Sequence, residues 1–226
     1  MLEKYESRVF SQNGEDGIIN YLINKIGTIN KFYVEIGTEN GESCNTRNIR
    51  EYSNFNGIMI DSNHSKSDIG LYQEFVTSEN INELFIKYNV PHRFDVLSID
   101  IDYNTFWVWK SLSNIYKPSI VVIEYNTGFA PPLSVVVPYD ENGVWAEDNF
   151  YGASLCALDK LGKEKGYTLV YCENRGVNAF FVLDEYVHLL GIEIRDVASV
   201  YKMGNYGDGP NGGHAENRGN QKMIEY

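Results

Sequence analysis

The feature that most constrains this chain is a short apolar segment that ends in a glycine turn, within residues 32–46. Its first five residues, 32–36, are apolar or aromatic apart from Glu35, as is typical of a buried strand. Gly37 and Gly41 follow. Because glycine has no Cβ, it takes a positive φ and lets a ligand approach the backbone closely. The segment therefore predicts a strand and a ligand-binding turn of an open α/β sheet.

The glycine spacing and the neighbouring acid indicate what the turn binds. Gly37 and Gly41 form G-x-x-x-G, whereas dinucleotide-binding turns carry G-x-G-x-x-G. Glu35, near the carboxyl end of the strand, suits a cationic ligand better than a pyrophosphate, because opposite charges attract. S-adenosylmethionine (SAM), which carries a sulfonium and an ammonium group, is such a ligand.

A second acid lies where a SAM site needs one. Residues 57–60 are a compact apolar run, and Asp61 ends it. In nucleotide-binding βαβ units, a carboxylate about 20 residues past the glycine turn holds the ribose hydroxyls. The alternative is an ordinary βαβ unit with an aspartate there by chance, and two motifs in the right order make it less attractive. We therefore expect Asp61 and the adjacent Ser62 to contact the ribose.

Composition limits the class of protein. The chain has 226 residues, 43% of them hydrophobic, which predicts one domain over residues 1–200 and a polar tail over 201–226. A net charge of −12 argues against nonspecific binding to nucleic acid or anionic membranes. Three cysteines without a C-x-x-C motif predict free thiols in a reducing compartment. No apolar signal or spanning segment is present, so we expect a cytoplasmic protein.

Helical and strand patterns fill the first half of the chain. Polar residues from Ser11 cap an amphipathic helix that runs to residue 26, and the loop before this helix either only caps it or also folds over the ligand. Residues 73–77 predict the third strand. Ser78 and Asn80 cap the next helix, and in a SAM-binding fold they would lie beside the adenine.

Carboxylates follow the fourth and fifth predicted strands. Asp100 and Asp102 end the strand at 94–99, and Glu124 and Asn126 follow the strand at 119–123. Residues two apart in extended chain share a face, so the two aspartates repel unless a cation lies between them or one is protonated. Hard oxygen ligands favour Mg²⁺ or Mn²⁺. We expect a metal site of Asp102, Glu124 and Asn126; alternatively, one aspartate only caps the next helix.

Four later segments complete the prediction. The helix at 105–116 carries an aromatic stripe that fits a core or an oligomer interface. The segment 127–150 predicts a substrate-binding insertion, with a surface hairpin at 133–137 as the alternative. Residues 167–172 and 178–183 predict an antiparallel hairpin. The polar tail is either disordered or ordered as a lid that places His214 at the site. His64 is expected to be a surface residue.

Taken together, the chain resembles the FkbM-like group of class I SAM-dependent methyltransferases. The resemblance covers about residues 11 to 185, and its motifs are SQNGEDGII (11–19), VEIGTENGESCNT (34–46), GIMIDSN (57–63), DVLSIDIDYNTFWVWK (95–110), VVIEYN (121–126) and YGASLCALDKLGKEKGY (151–167). The chain departs from the family at Tyr103, where glycine is commoner.

This resemblance implies an α/β fold: a Rossmann-like, doubly wound sheet of about seven strands whose final hairpin is antiparallel. It implies that Asp61 holds the ribose of SAM and that Asp100 lies near the amino group or the reacting centre. The residues it assigns to SAM are Glu35, Gly37, Thr38, Gly41, Asn45, Asp61, Ser62 and Asp100, and the candidate catalytic residues are Asp100, Asp102 and His214.

The hypothesis that follows is metal-assisted O-methylation of a sugar or another surface-polysaccharide precursor, with Asp102 or a histidine as the base when no metal is used. One alternative is methylation of nitrogen or of a phosphate-type oxygen, with Arg175 or Lys110 holding an anionic acceptor. Another is a binding module without catalysis. A dinucleotide-dependent oxidoreductase is disfavoured because G-x-G-x-x-G is missing.

Overall fold

The computed structural model describes residues 2–217, 219 and 221–226. Its strands are β1 (Phe32–Ile36), β2 (Asn56–Asp61), β3 (Leu71–Gln73), β4 (Arg93–Ile99), β5 (Lys117–Glu124), β6 (Val135–Val136), β7 (Tyr167–Cys172), β8 (Asn178–Leu183) and β9 (Ile224–Glu225). Seven of them form one sheet in the order β3-β2-β1-β4-β5-β8-β7, and β6 pairs with β9 in a second, two-stranded sheet.

The α-helices in the described residues lie between and after these strands. They are α1 (Glu15–Ile26), α2 (Arg47–Ser53), α3 (Ile81–Lys87), α4 (Thr105–Ser111), α5 (Leu155–Lys165), α6 (Asp184–Val187) and α7 (Val197–Val200). None of these helices combines the length and apolarity needed to cross a bilayer.

The sheet has the predicted doubly wound form. β1, β2, β3, β4 and β5 are mutually parallel, and β8 runs antiparallel to both β5 and β7. Alternate residues of β5 enter two different apolar clusters, Val121 in one and Val122 in the other, because side chains alternate across a strand. A sheet covered on both faces requires such apolar central strands. The predicted α/β fold class with its antiparallel final hairpin is confirmed.

Two predicted element bounds were wrong. The third strand is Leu71–Gln73 instead of 73–77. Glu74 N still donates to Asp61 O of β2 at 2.9 Å, but Thr77 N donates to the Asn80 side chain at 2.8 Å, so the chain has turned away from the sheet by that point. The helix predicted at 105–116 ends at Ser111. The Asn82 carboxamide of α3 stops it there, since it binds Ser111 O and Ser113 N at 2.9 and 2.8 Å.

The helix α4 contributes its aromatic side chains to the core. Phe106 and Trp109 are fully buried, and the Trp109 ring contacts Phe181 of β8 at a centroid distance of 5.1 Å. Of the two locations predicted for the aromatic stripe, the core and an oligomer interface, Phe106 and Trp109 therefore occupy the core.

The three cysteines of the chain are buried free thiols, as predicted.

The insertion at 127–150 and the tail hold each other. Val135 and Val136 pair with Glu225 and Ile224, so the surface hairpin considered at 133–137 does not form. At the other end of the insertion, Thr127 Oγ1 donates to Lys202 O at 3.1 Å. The described part of the tail therefore packs against the domain, and its role as a lid stays a prediction.

Candidate functional site

A cavity of about 740 Å³ opens at the carboxyl ends of β1, β2, β4 and β5. This is the edge at which open α/β sheets bind ligands, and the volume is that of a small-molecule site. Gln12 and Asn13 from the loop before α1 form part of its wall, so the prediction that this loop covers the site is supported. Trp145 of the insertion and His214 of the tail also line it.

Glu35 is buried beneath the first loop of the cavity. One of its oxygens accepts from Asn45 N at 2.7 Å, and the other accepts from Thr46 N at 2.9 Å and from the Thr46 hydroxyl at 2.5 Å. Burial raises the pKa of Glu35, and these hydrogen bonds oppose the rise. The carboxylate therefore holds the loop that carries Thr38 and Asn45, both of which line the cavity with it.

The two glycines of the turn have different roles. Gly37 lines the cavity at φ 81°, and a Cβ there would lie 1.6 Å from the carbonyl oxygen of Asp100. Gly37 is thus required by the close approach of the β1 and β4 ends. Gly41 also has a positive φ, but it faces Ile69 and does not line the cavity. Gly41 therefore forms the turn, and its predicted contact with SAM stays a prediction.

Asp61 lies at the mouth of the cavity, at the end of β2. One carboxylate oxygen accepts from Glu39 N at 2.8 Å, and the other accepts from Asn63 N at 2.9 Å and approaches His64 Nδ1 to 2.8 Å. Asp61, Ser62 and His64 all line the cavity. The aspartate therefore joins the loops after β1 and β2, and His64, expected on the surface, is exposed but belongs to the rim.

The residues expected near an adenine differ from those observed at this edge. Asn80 binds Thr77 N and Phe75 O with its side chain, and neither it nor Ser78 lines the cavity. Phe75 and Val76 line it instead, and the Phe75 ring is half exposed at the rim. Phe75 and Val76 belong to the segment that connects the end of β3 at Gln73 to the N-cap of α3 at Asn80.

Three carboxyl groups meet at the floor of the cavity. One oxygen from each of Asp100, Asp102 and Glu124 lies within 4.8 Å of the others. Glu124 is 8% exposed, and its Oε2 has no hydrogen-bond partner in the described part of the chain.

The environment of these carboxyls favours their protonated forms. Burial and then the nearby Asp102 raise the pKa of Asp100, and burial followed by both aspartates raises that of Glu124. Asp102 is exposed to the open cavity, and partial desolvation together with Glu39 raises its pKa. Without a cation, the site cannot ionise fully at low cost.

Asn126, which was predicted as a metal ligand, has a side chain that already has partners in the protein, and its role as a ligand stays a prediction. Its Nδ2 donates to Asn149 O and Tyr151 O, both at 2.9 Å, and its Oδ1 accepts from Gly128 N at 3.0 Å. The buried carboxamide therefore has its hydrogen bonds within the insertion that it anchors. Asp100 is the third member of the carboxyl cluster.

Tyr103, at the position where the resembling family more often has glycine, lies in the turn that follows β4. Residues Asp102–Asn104 form a 3₁₀ turn in which Asp102 has φ 57°. The Tyr103 ring packs against Phe150 at a centroid distance of 6.0 Å, so it connects the turn to the insertion. A glycine at this position would lack that contact.

Aromatic side chains from the insertion and the tail form another part of the cavity wall. The His214 ring lies 4.5 Å from the Trp145 ring and 5.0 Å from the Tyr206 ring, between centroids. Burial lowers the pKa of His214, and Asp148 partly offsets the fall. The sequence did not single out Trp145 or Tyr206, because neither has a motif; only their place in the insertion and the tail points to the site.

No family model and no curated protein sequence matches the chain. Among solved structures with a related fold are an O-methyltransferase family protein from Burkholderia thailandensis (8% identity, TM-score 0.43), human N-acetylserotonin methyltransferase in complex with SAM (9%, 0.39) and the pyocyanin biosynthetic protein PhzM (11%, 0.36). The matches cover 75, 72 and 73% of this chain and 57, 50 and 54% of those chains. The chain thus spans little more than half of their length, and at these TM-scores the likeness says nothing about substrate or reaction.

Proposed function

We propose that the chain is a SAM-dependent methyltransferase that acts on a hydroxyl of a small sugar or another surface-polysaccharide precursor. The observation that carries this proposal is one cavity that joins the glycine turn after β1, Asp61 at the end of β2 and the acidic cluster at the carboxyl ends of β4 and β5. An activated methyl donor and an acceptor held together at such an edge gain much of their rate from proximity.

The cavity has the chemistry that SAM requires. Among the described residues that line it, seven carry carboxyl groups and one, Arg175, carries a permanent positive charge. Such a lining suits a donor with sulfonium and ammonium groups, which supplies an electrophilic methyl when bound. Asp61 and Ser62 would hold the ribose, Phe75 would cover the adenine, and the loop of Thr38 and Asn45 would hold the methionine part.

The acidic cluster also fits a divalent cation. Three carboxyls supply hard oxygen ligands, and the unpartnered Glu124 Oε2 is a buried acceptor that a cation would satisfy. Mg²⁺ or Mn²⁺ held by Asp100, Asp102 and Glu124 would act there as a Lewis acid toward the acceptor hydroxyl.

His214 is the residue we propose as the general base. A ring nitrogen of His214 takes the hydroxyl proton, because the lowered pKa keeps the imidazole neutral near pH 7. Since a protonated ring cannot accept a proton, activity falls at acid pH, and this limb lies below the ordinary histidine pKa of about 6.5.

We therefore expect His214→Ala to lower kcat by about 10²- to 10⁴-fold and to remove the acid limb of the pH–rate profile. The measurement is methyl transfer from labelled SAM across the pH range, with His188→Ala, outside the cavity, as the control. An unchanged acid limb in His214→Ala would assign the base to another group, with Asp102 the next candidate.

Donor binding is tested by calorimetric titration of S-adenosylhomocysteine into wild type and Asp61→Asn. We expect the variant to bind about 10- to 100-fold more weakly, because a hydrogen bond to a charged group contributes about 1.5–3 kcal/mol. Glu124→Gln, altered at the opposite side of the cavity, should keep its affinity. A wild-type protein that binds neither S-adenosylhomocysteine nor SAM would sink the methyltransferase proposal.

The alternative of an anionic acceptor has less support. Lys110 is absent from the cavity lining, and its ammonium lies over the Tyr226 ring at 4.6 Å from the centroid. Arg175 does line the cavity, on the turn between β7 and β8, but is exposed.

A binding module without catalysis would bind the donor and show no turnover with any acceptor.

A further inference from the structure

Two buried asparagines flank the acidic cluster. Asn104 and Asn178 both line the cavity and are 4% and 3% exposed. In each, the carbonyl oxygen of the side chain is buried without a hydrogen-bond partner in the described residues. Buried acceptors in native proteins are nearly always satisfied, so two such oxygens in one cavity call for an explanation.

The hydrogen-bond networks fix which way each carboxamide points. Asn104 Nδ2 donates to the backbone oxygen of Asp140 at 2.7 Å, and a carbonyl oxygen can only accept. Asn178 Nδ2 donates to Glu15 Oε1 at 3.0 Å, and this carboxylate also accepts from Asn13. Both NH₂ groups are thus bound within the protein, and the carbonyl oxygens have no partner among the described residues.

The fold brings these oxygens to either side of the cluster. Asn178 of β8 is the direct partner of Glu124 on β5, so the two side chains leave the same face of the sheet. Asn104 lies at the end of the 3₁₀ turn that begins with Asp102. The acidic cluster therefore lies between two neutral acceptors, each unsatisfied until a ligand donates to it.

The groups around these acceptors also limit which functional groups a ligand can place beside them. The carboxyl groups of Asp100, Asp102 and Glu124 occupy the floor between the asparagines, whereas Arg175 is exposed on the turn after β7. A phosphate or ionised carboxylate next to the reacting atom would meet two carboxamide oxygens that, like its own oxygens, can only accept hydrogen bonds. Hydroxyl or amino groups would instead donate to the unpartnered oxygens.

We propose that Asn104 and Asn178 select the methyl acceptor by accepting hydrogen bonds from hydroxyl or amino groups beside its reacting atom. The acceptor is then rich in donors and carries no phosphate or carboxylate at that end. This inference rests on the proposed methyltransferase function and narrows its substrate class. The rings of Trp145 and Tyr206 supply the apolar surface on which such a molecule packs.

The test uses protein saturated with S-adenosylhomocysteine and three probes built on the same sugar ring: methyl glucoside, glucosamine and glucose 6-phosphate. We expect the neutral or the cationic probe to bind at least about tenfold more tightly than the phosphate, and Asn178→Leu and Asn104→Leu to abolish this preference. Equal or tighter binding of the phosphate, binding of none of the probes, or a preference that survives in both variants overturns the proposal. If wild type does not bind S-adenosylhomocysteine at all, that result would instead contradict the proposed methyltransferase function.

A stability measurement separates selection from a structural role, with Asn126→Leu as the matched control. All hydrogen bonds of the buried Asn126 carboxamide lie within the protein, so its replacement should lower the thermal midpoint sharply. Asn178→Leu removes an unsatisfied acceptor as well as one hydrogen bond, so its midpoint should stay close to that of wild type. Equal losses in the two variants would make Asn178 structural and overturn its role in selection.

Discussion

Gly37→Ala should lower the free energy of unfolding by about 3 kcal/mol or more, the largest effect we expect from any single methyl group in this chain. The added Cβ would lie 1.6 Å from the carbonyl oxygen of Asp100, far inside van der Waals contact, and backbone cannot move aside as a side chain can. The φ of 81° adds its own cost for an L-residue. Urea denaturation measures the change.

Gly191→Ala is the matched control for this experiment. Gly191 also has a positive φ, 61°, but nothing lies within 4 Å of the position that its Cβ would take. The control should therefore lose only the left-handed backbone term of about 1–2 kcal/mol. Equal losses in the two variants would show that the approach of Gly37 to Asp100 is not what requires a glycine there. Separating the ends of β1 and β4 should also weaken S-adenosylhomocysteine binding in Gly37→Ala alone.

The metal-free protein should lose stability as pH rises, and Mn²⁺ should restore it. Burial raises the pKa of Asp100, Asp102 and Glu124 in the folded state, and nearby carboxylates (Glu39 in the case of Asp102) add to the rise, whereas unfolded carboxyls titrate near pH 4. Between the unfolded and the folded pKa values, the folded state therefore binds more protons than the unfolded state. The free energy of unfolding that these groups contribute at low pH is lost as the pH rises through their folded pKa values. At a concentration about 100 times its Kd, a bound cation adds about 2.7 kcal/mol, or about 5–10 °C for a chain of this size.

Thermal unfolding at about pH 5 and about pH 8, with chelator or Mn²⁺, makes the comparison. Glu124→Gln should lose most of the Mn²⁺ response at the higher pH and keep S-adenosylhomocysteine binding. Asp61→Asn should keep the Mn²⁺ response and lose S-adenosylhomocysteine binding, so each variant is the control for the other. A thermal midpoint that Mn²⁺ leaves unchanged in wild type at the higher pH would remove the metal from the proposal and leave the three carboxyls as proton-sharing groups.

Local patterns predicted the positions of Asp100, Asp102 and Glu124 at the ends of their strands, because parallel strands with apolar cores bring their carboxyl ends to one edge. The same patterns could not rank Asn126 against Asp100 as the third member. Both follow an apolar strand, and only the loop that closes over Asn126 takes up its hydrogen bonds.

By itself, the sequence determined the doubly wound sheet, its reversed final hairpin, the glycine turn and the row of acids, because each depends on short-range periodicity or on which residues tolerate a positive φ. Tertiary structure decided what surrounds them. The insertion and the tail bring Trp145, Tyr206 and His214 to one wall, and β8 sets Asn178 beside Glu124. These contacts join residues far apart in the chain, so they depend on strand pairing and loop packing that no local pattern encodes.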